Sequence, residues 1–165
     1  MKSVTNANPK IGDYPFTTLH PNLGVVNYDS HSEIIIADIP GIIKNASNGI
    51  GLGIKFLGHI EKCKILLHFL DSSKKNIIQN YEVIRKELFK YGSGLKEKKE
   101  ILVLTKSDLV TDDTINKYKK KLAKFCNNNI VSISIDDLNS LITLKKLLLS
   151  EKIKNNKLIL KKWHP

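Results

Sequence analysis

The chain has 165 residues, 41% hydrophobic and 26% charged, which suits one folded domain with a sizeable core and argues against disorder. No apolar run approaches the roughly 18 residues that span a bilayer, and the N-terminus lacks the regions of a secretory signal, so a cytoplasmic protein without a membrane span is expected. The net charge of +11 suits a phosphate backbone, but Arg85 is the sole arginine and the lysines are accompanied by abundant isoleucine and asparagine; codons rich in A and T account for the charge as well as RNA binding does.

In chain order, Val25 to Tyr28 and Glu33 to Ala37 read as two strands joined through Asp29-Ser30-His31-Ser32, a polar turn suited to an antiparallel hairpin. Lys64 to Leu70, Ile101 to Thr105 and Ile130 to Ser134 are continuous apolar runs, the pattern of strands covered on both faces in a parallel sheet. Between and after them, Ile77, Ile78, Tyr81, Ile84 and Leu88 recur at helical spacing, as do Ile115, Tyr118, Leu122 and Phe125, and then Leu138, Leu141, Leu144, Leu147 and Leu148. Strands alternating with helices predict a doubly wound, mostly parallel α/β fold over residues 1–150, with ligands beyond the carboxyl ends of the strands and a basic C-terminal tail over 151–165. Cys63 and Cys126 lie far apart with no metal-ligand pattern, so reduced thiols are expected.

Four segments fall where such a fold places its ligand loops. Phe16-Thr17-Thr18-Leu19-His20 lies in a loop bounded by Pro15 and Pro21, and a threonine hydroxyl there can complete the octahedron of a phosphate-bound Mg2+. Asp38-Ile39-Pro40-Gly41 ends an apolar strand: the carboxylate can hold Mg2+ through water, and the glycine N–H can meet a terminal phosphate. Thr105-Lys106-Ser107-Asp108 follows a buried strand, and its aspartate can accept two hydrogen bonds from guanine while the lysine stem covers the ring; adenine lacks that donor pair. The other reading of this tetrapeptide is local, with Asp108 or Thr111 as the N-cap of the next helix. Ser134 and Ile135 follow the last strand, where a backbone N–H can reach the guanine carbonyl.

The order and spacing of these segments match the guanine-nucleotide motifs that follow a phosphate loop, yet the sequence contains no G-x-x-x-x-G-K-S/T. Asn8 to Val26, reading NPKIGDYPFTTLHPNLGVV, resembles the first switch of the Obg GTPases, and Ile36 to Asp71 resembles their second switch and following strand. The resemblance implies a P-loop-GTPase-like G domain that lacks its first strand, phosphate loop and most of its first helix, and also the family's glycine-rich N-terminal domain. It implies nucleotide binding by Phe16 to His20, Asp38 to Gly41, Thr105 to Asp108, Ser134 and Ile135, with Mg2+ on Thr18 and ribosome assembly as the biological setting. Thr105 stands where most such proteins carry asparagine, Ile135 where alanine is usual, and Lys44-Asn45 where Glu-Gly is common. Ile42, apolar at the position of the catalytic glutamine in Ras-type proteins, leaves hydrolysis to a water positioned by other groups. No catalytic residue is assigned, and the five histidines read as structural or solvated.

Three readings follow. The chain is a GTPase fragment, impaired or inactive alone, with its own missing N-terminal portion a candidate partner; or a basic ribosome- or RNA-binding module without GTPase activity; or a gene fragment without a function of its own. Trp163-His164-Pro165 resembles the end of short family members, so the shortening is expected at the N-terminus alone.

Overall fold

The alternation of strands and helices is present in a computed structural model of the chain, which describes residues 22–29, 32–38, 53–92, 94–126 and 129–161. Two compact units divide the chain, one formed by Met1–Asp38 with Asp137–Pro165 and the other by Ile39–Asp136.

The first unit contains an antiparallel hairpin, β1 (Asn22–Asp29) and β2 (Ser32–Asp38), as the sequence predicts. Its register sets Gly24 against Ile36 and Val26 against Ile34, and slips by a bulge between Asn27 and Asp29. Strand alternation then decides the faces: Gly24 and Val26 are buried, while Ile35, one residue out of phase with Ile34 and Ile36, is 56% exposed. The unit also holds the last helix, Leu138–Lys161, which the Lys152 ammonium ties to the hairpin through the Glu33 carbonyl at 2.7 Å. This helix runs beyond Leu148, where the apolar spacing ends, into the segment expected to be a tail. Propagation adds one hydrogen bond for each residue fixed, and lysine and leucine are good helix formers.

The second unit is the α/β layer. Helix α1 (Gly53–Lys62) leads into β3 (Ile65–Asp71), α2 (Ile77–Tyr91), a single 3-10 turn at Leu95–Glu97, β4 (Lys99–Thr105), α3 (Asp112–Leu122) and β5 (Ile130–Ser132). The helix Leu138–Lys161 is then α4. The three strands form a parallel sheet in the order β3-β4-β5, with Leu67 beside Ile101, Asp71 beside Thr105 and Leu104 beside Ser132. Paired on both edges, β4 is the buried centre: Ile101, Leu102, Val103 and Leu104 are each 0% exposed. Among the described residues, β3 has β4 as its one strand neighbour.

Helices α2 and α3 cover one face of this sheet, Ile77, Tyr81, Ile115 and Leu122 packing with Leu70, Leu102 and Leu104. The last turn of α2 stops at Gly92, whose φ of 78° is a conformation that side-chain-bearing residues seldom adopt. A smaller cluster of Leu57, Ile60, Leu88 and Leu95 joins α1 to the end of α2.

Within this apolar face sits a carboxylate. Glu100, its side chain 7% exposed, accepts from His68 Nδ1 at 2.9 Å and from the Tyr81 hydroxyl at 3.1 Å, with Arg85 Nη1 at 3.6 Å as an ion-pair partner. The carboxylate offers only acceptors, which places the His68 proton on Nδ1 in this contact. Arg85 is held in turn through Nη2 by the Lys96 carbonyl at 3.1 Å, while its buried Nη1 has no hydrogen bond in the structure. The Tyr81 ring lies between those of His68 and Phe125, with centroids 5.2 and 5.4 Å away. Burial pushes the Glu100 carboxyl up, but its contacts with His68, Arg85 and Tyr81 together outweigh burial and hold it below the usual range; burial also pushes the Tyr81 hydroxyl up. A depressed folded pKa contributes stability in full above the ordinary carboxyl value of 4.5 and loses it as pH falls below that value. Glu100→Gln is therefore expected to cost about 1–3 kcal/mol at pH 7 in urea unfolding and to lose less stability than the parent on acidification. A variant as acid-sensitive as the parent would place that sensitivity elsewhere.

Candidate functional site

The carboxyl ends of β3, β4 and β5 carry the loops from which a site can be built. β4 ends at Thr105, and the chain turns sharply at Lys106, whose φ of 55° and ψ of 41° make it the only described non-glycine residue in the left-handed region. For a lysine that conformation costs on the order of 1–2 kcal/mol, and the neighbouring contacts hold it. Thr105 Oγ1 donates to the Leu70 carbonyl at 3.3 Å, Ser72 N–H donates to the Thr105 carbonyl at 3.0 Å, and Lys106 Nζ reaches Asp71 Oδ2 at 2.7 Å. Where an asparagine amide is common, Thr105 thus spends its hydroxyl on the end of β3.

Asp71 is the organising carboxylate of this corner. Its Oδ1 accepts from the Ser73 hydroxyl at 2.6 Å and the Ser73 N–H at 3.0 Å, and with Lys106 on the other oxygen its pKa falls to about 2, the Lys106 hydrogen bond being the largest cause. The ion pair is largely exposed, so its worth lies in geometry more than in stability. Sequence reasoning passed over Asp71 as a site residue. The available signal was its place, an aspartate closing an apolar strand just as Asp38 does, paired in register with Thr105.

After Lys106, Ser107–Leu109 forms a 3-10 turn and Ser107 N–H donates to the Ile133 carbonyl at 3.2 Å. That bond sets the Thr105–Asp108 turn against the loop after β5, so the structure brings Thr105, Lys106, Ser107 and Asp108 together with Ser134 and Ile135. Ser134 is buried, its hydroxyl accepting from the Asp136 N–H at 3.1 Å. Ile135 is 71% exposed, so the side chain that replaces the usual alanine stands in solvent.

Of the two cap candidates, Asp108 and Thr111, the structure uses Thr111. Its φ of −73° and ψ of 155° are those of an N-cap, and its Oγ1 accepts from Thr114 N–H at 3.3 Å. Asp112 and Asp113 in the first turn and Lys119 to Lys121 in the last complete the charge pattern that a helix dipole favours. Asp108 is consequently exposed and, among the described residues, without a hydrogen bond or ion pair. Two acceptor oxygens stand ready at the carboxyl end of the sheet.

Of the other predicted site residues, Asp38 is exposed at the end of β2, in the first unit. Phe16, Thr17, Thr18, Leu19, His20, Ile39, Pro40 and Gly41 lie outside the described residues. Among the described residues no three histidine, cysteine or carboxylate side chains cluster as a metal site, and no helix is long and apolar enough to cross a membrane. Both described histidines are structural or near-structural in setting, His59 in α1 and His68 on Glu100.

The profile of the 50S ribosome-binding GTPases matches residues 1–106. The chain belongs to that family. Its relatives include the Obg GTPase of Pelagibacter ubique, 45% identical over 150 residues, covering 91% of this chain and 46% of that protein. The Obg GTPase of Rickettsia prowazekii is 49% identical over 154 residues, covering 93% and 46%. The chain thus spans less than half the length of these relatives. Among solved structures, Era in complex with MgGDPNP and nucleotides 1506–1542 of 16S ribosomal RNA superposes with a TM-score of 0.60 at 22% identity, covering 89% of this chain and 48% of that one. The cytosolic domain of L. pneumophila FeoB gives 0.60 at 17% identity, covering 90% and 56%. These likenesses show the fold, that of a P-loop GTPase G domain, and the Obg relatives agree with the resemblance seen in the switch segments.

If Thr111 is the cap and Asp108 is not, the two should differ in stability. Thr111→Ala is expected to cost about 1 kcal/mol and Asp108→Ala less than about 0.5 kcal/mol in urea unfolding; the reverse order would return Asp108 to the capping role.

Proposed function

We propose that this chain is the guanine-recognising portion of an Obg-type GTPase directed to the large ribosomal subunit. The observation that carries the reading is the free Asp108 carboxylate on a turn fixed by Lys106 and Ser107 beside the loop of Ser134 and Ile135. Asp108 would accept from the two N–H donors of guanine, and that pair of hydrogen bonds would be lost with adenine, which supplies no matching donors. Lys106, pinned by Asp71, would present its stem to the face of the base.

Thr18 would hold Mg2+ directly, and Asp38 through water. A carboxylate at a strand end and a hydroxyl are hard oxygen donors that leave the remaining positions to phosphate and water, the set Mg2+ prefers. Bound there, the ion would neutralise phosphate charge. The Gly41 N–H would meet the terminal phosphate, and Phe16 to His20 and Ile39 to Pro40 would line the nucleotide. Ile42 has no group to activate water, so any hydrolysis would depend on other groups placing it. The family's description supports the ribosome as partner, and the Era complex, in which that protein is bound to ribosomal RNA, supports an RNA component.

This sequence has no phosphate-cradling G-x-x-x-x-G-K-S/T. Three absent charge-assisted contacts at roughly 1.5–3 kcal/mol each would weaken binding by at least about a thousandfold. The chain alone is expected to bind GTP more weakly than micromolar and to hydrolyse it negligibly, while still preferring guanine to adenine. Competition of GDP and ADP against a fluorescent guanine nucleotide checks this, with Asp108→Ala expected to erase the preference. Equal competition by both nucleotides against the parent chain would sink the guanine assignment. Micromolar binding with turnover that vanishes in Asp38→Asn would sink the expected weakness.

A further inference from the structure

We infer that the carboxyl half of α3 is a docking surface for single-stranded RNA. The choice of RNA as the polyanion rests on the ribosome-directed reading above; the surface itself is read from charge and geometry.

From Thr114 to Ile135 the chain carries five lysines and no acidic residue. Four of them, Lys117, Lys120, Lys121 and Lys124, keep an i, i+3, i+4, i+7 spacing; the first three share one face of α3, and Lys124 lies in the turn that follows it. All four are exposed, and among the described residues none has a carboxylate partner. The opposite face of α3 is spent on the core through Ile115 and Leu122, so the orientation of the cationic face is fixed. At 1.5 Å per residue the three helical lysines span about 6 Å, and Lys124 extends the row beyond the helix, which lets several ammonium groups meet successive phosphates of one strand.

Two further features make the row more than a solvated face. Lys119, Lys120, Ala123 and Ile130 line an open depression of about 290 Å³, which sets apolar groups beside the cations of the row. At the end of the row Phe125 is 48% exposed, although the apolar spacing of the sequence predicts it in the helix core. The helix ends at Leu122, and the turn that follows, with Phe125 N–H on the Leu122 carbonyl at 2.9 Å, carries the ring outward while Tyr81 supports it. A half-exposed ring beside a lysine row is the pairing single strands use, with phosphates on the cations and a base on the aromatic face. The described aromatic and aliphatic groups provide no apolar ridge along α3 for insertion into a bilayer, which favours RNA over an anionic membrane.

The test compares the chain with Lys117→Gln/Lys120→Gln/Lys124→Gln and with a charge-matched control at exposed lysines elsewhere, Lys64→Gln/Lys75→Gln/Lys86→Gln. Binding to a mixed-sequence single-stranded RNA oligonucleotide and to purified large ribosomal subunits is measured across a salt series. The row variant is expected to lower the slope of log affinity against log salt by about 2, from three phosphate contacts at about 0.7 each, and the control to leave it unchanged. Phe125→Leu is expected to weaken oligonucleotide binding by about fivefold without weakening binding to inorganic polyphosphate. Equal losses in the row variant and the control would overturn the surface. Subunit binding that ignores the row would overturn the surface and leave the ribosomal reading standing, whereas a chain that binds neither subunits nor oligonucleotide would remove both. Row-dependent binding to phosphatidylserine vesicles with no RNA binding would make the surface a membrane contact and overturn the proposal.

Discussion

The pairing of β4 on both of its edges is the constraint from which the rest of the second unit follows. Ile101 to Leu104 are wholly withdrawn from water, each aliphatic side chain contributing roughly 1.5–3 kcal/mol by burial. The strand is therefore a rigid rod, and what leaves its ends inherits that rigidity. At the carboxyl end it delivers Thr105 to Asp108 as a turn with one left-handed residue and four fixed contacts. At the amino end it drives the Glu100 carboxylate into the interface with α2, where three side chains compensate its burial. A loop asked to hold a planar base in one orientation gains from such an anchor, because the orientation is fixed before any ligand arrives.

Much of this was legible in the residues. The apolar runs at Lys64 to Leu70 and Ile101 to Thr105 have the composition of strands covered on both faces, and both are parallel strands here. The hairpin could be read from the polar turn between two alternating segments. Local patterns of this kind survive because neighbouring residues decide them. The features that escaped are those settled by distant partners. Glu100 at the start of a strand looks like a solvated charge until His68, Tyr81 and Arg85 converge on it from 32, 19 and 15 positions away. Asp71 and Lys106 meet across 35 positions. Asp108 and Thr111 are chemically equivalent cap candidates in the sequence, and only the backbone angles at Thr111 separate them. Phe125 keeps helical spacing with Leu122 and Tyr118 but falls past the helix end, so periodicity assigns it to the wrong side.

Charge illustrates the difference between composition and placement. A surplus of lysine spread over a surface is what a codon bias produces, and the sequence total cannot distinguish that from selection. Placement carries more information. On α2, Lys90 has Glu87 within 3.6 Å, whereas Lys117, Lys120 and Lys121 of α3 and Lys124 just past it have no carboxylate partner among the described residues. Helix α3 is thus polarised along its own length, with Asp112 and Asp113 in its first turn and Lys119 to Lys121 in its last.

The two contacts from the Thr105–Lys106 turn to β3, one from the threonine hydroxyl to Leu70 and one from the lysine ammonium to Asp71, leave little slack between the turn and that strand. A strand edge offers its backbone donors and acceptors to an extended segment that aligns with it, and among the described residues β3 has β4 alone beside it. Order at that edge and order in the turn that carries Asp108 would then be linked quantities. A segment that steadied β3 would steady the turn, anything that held the turn would in return favour the segment, and one coupling free energy would describe both.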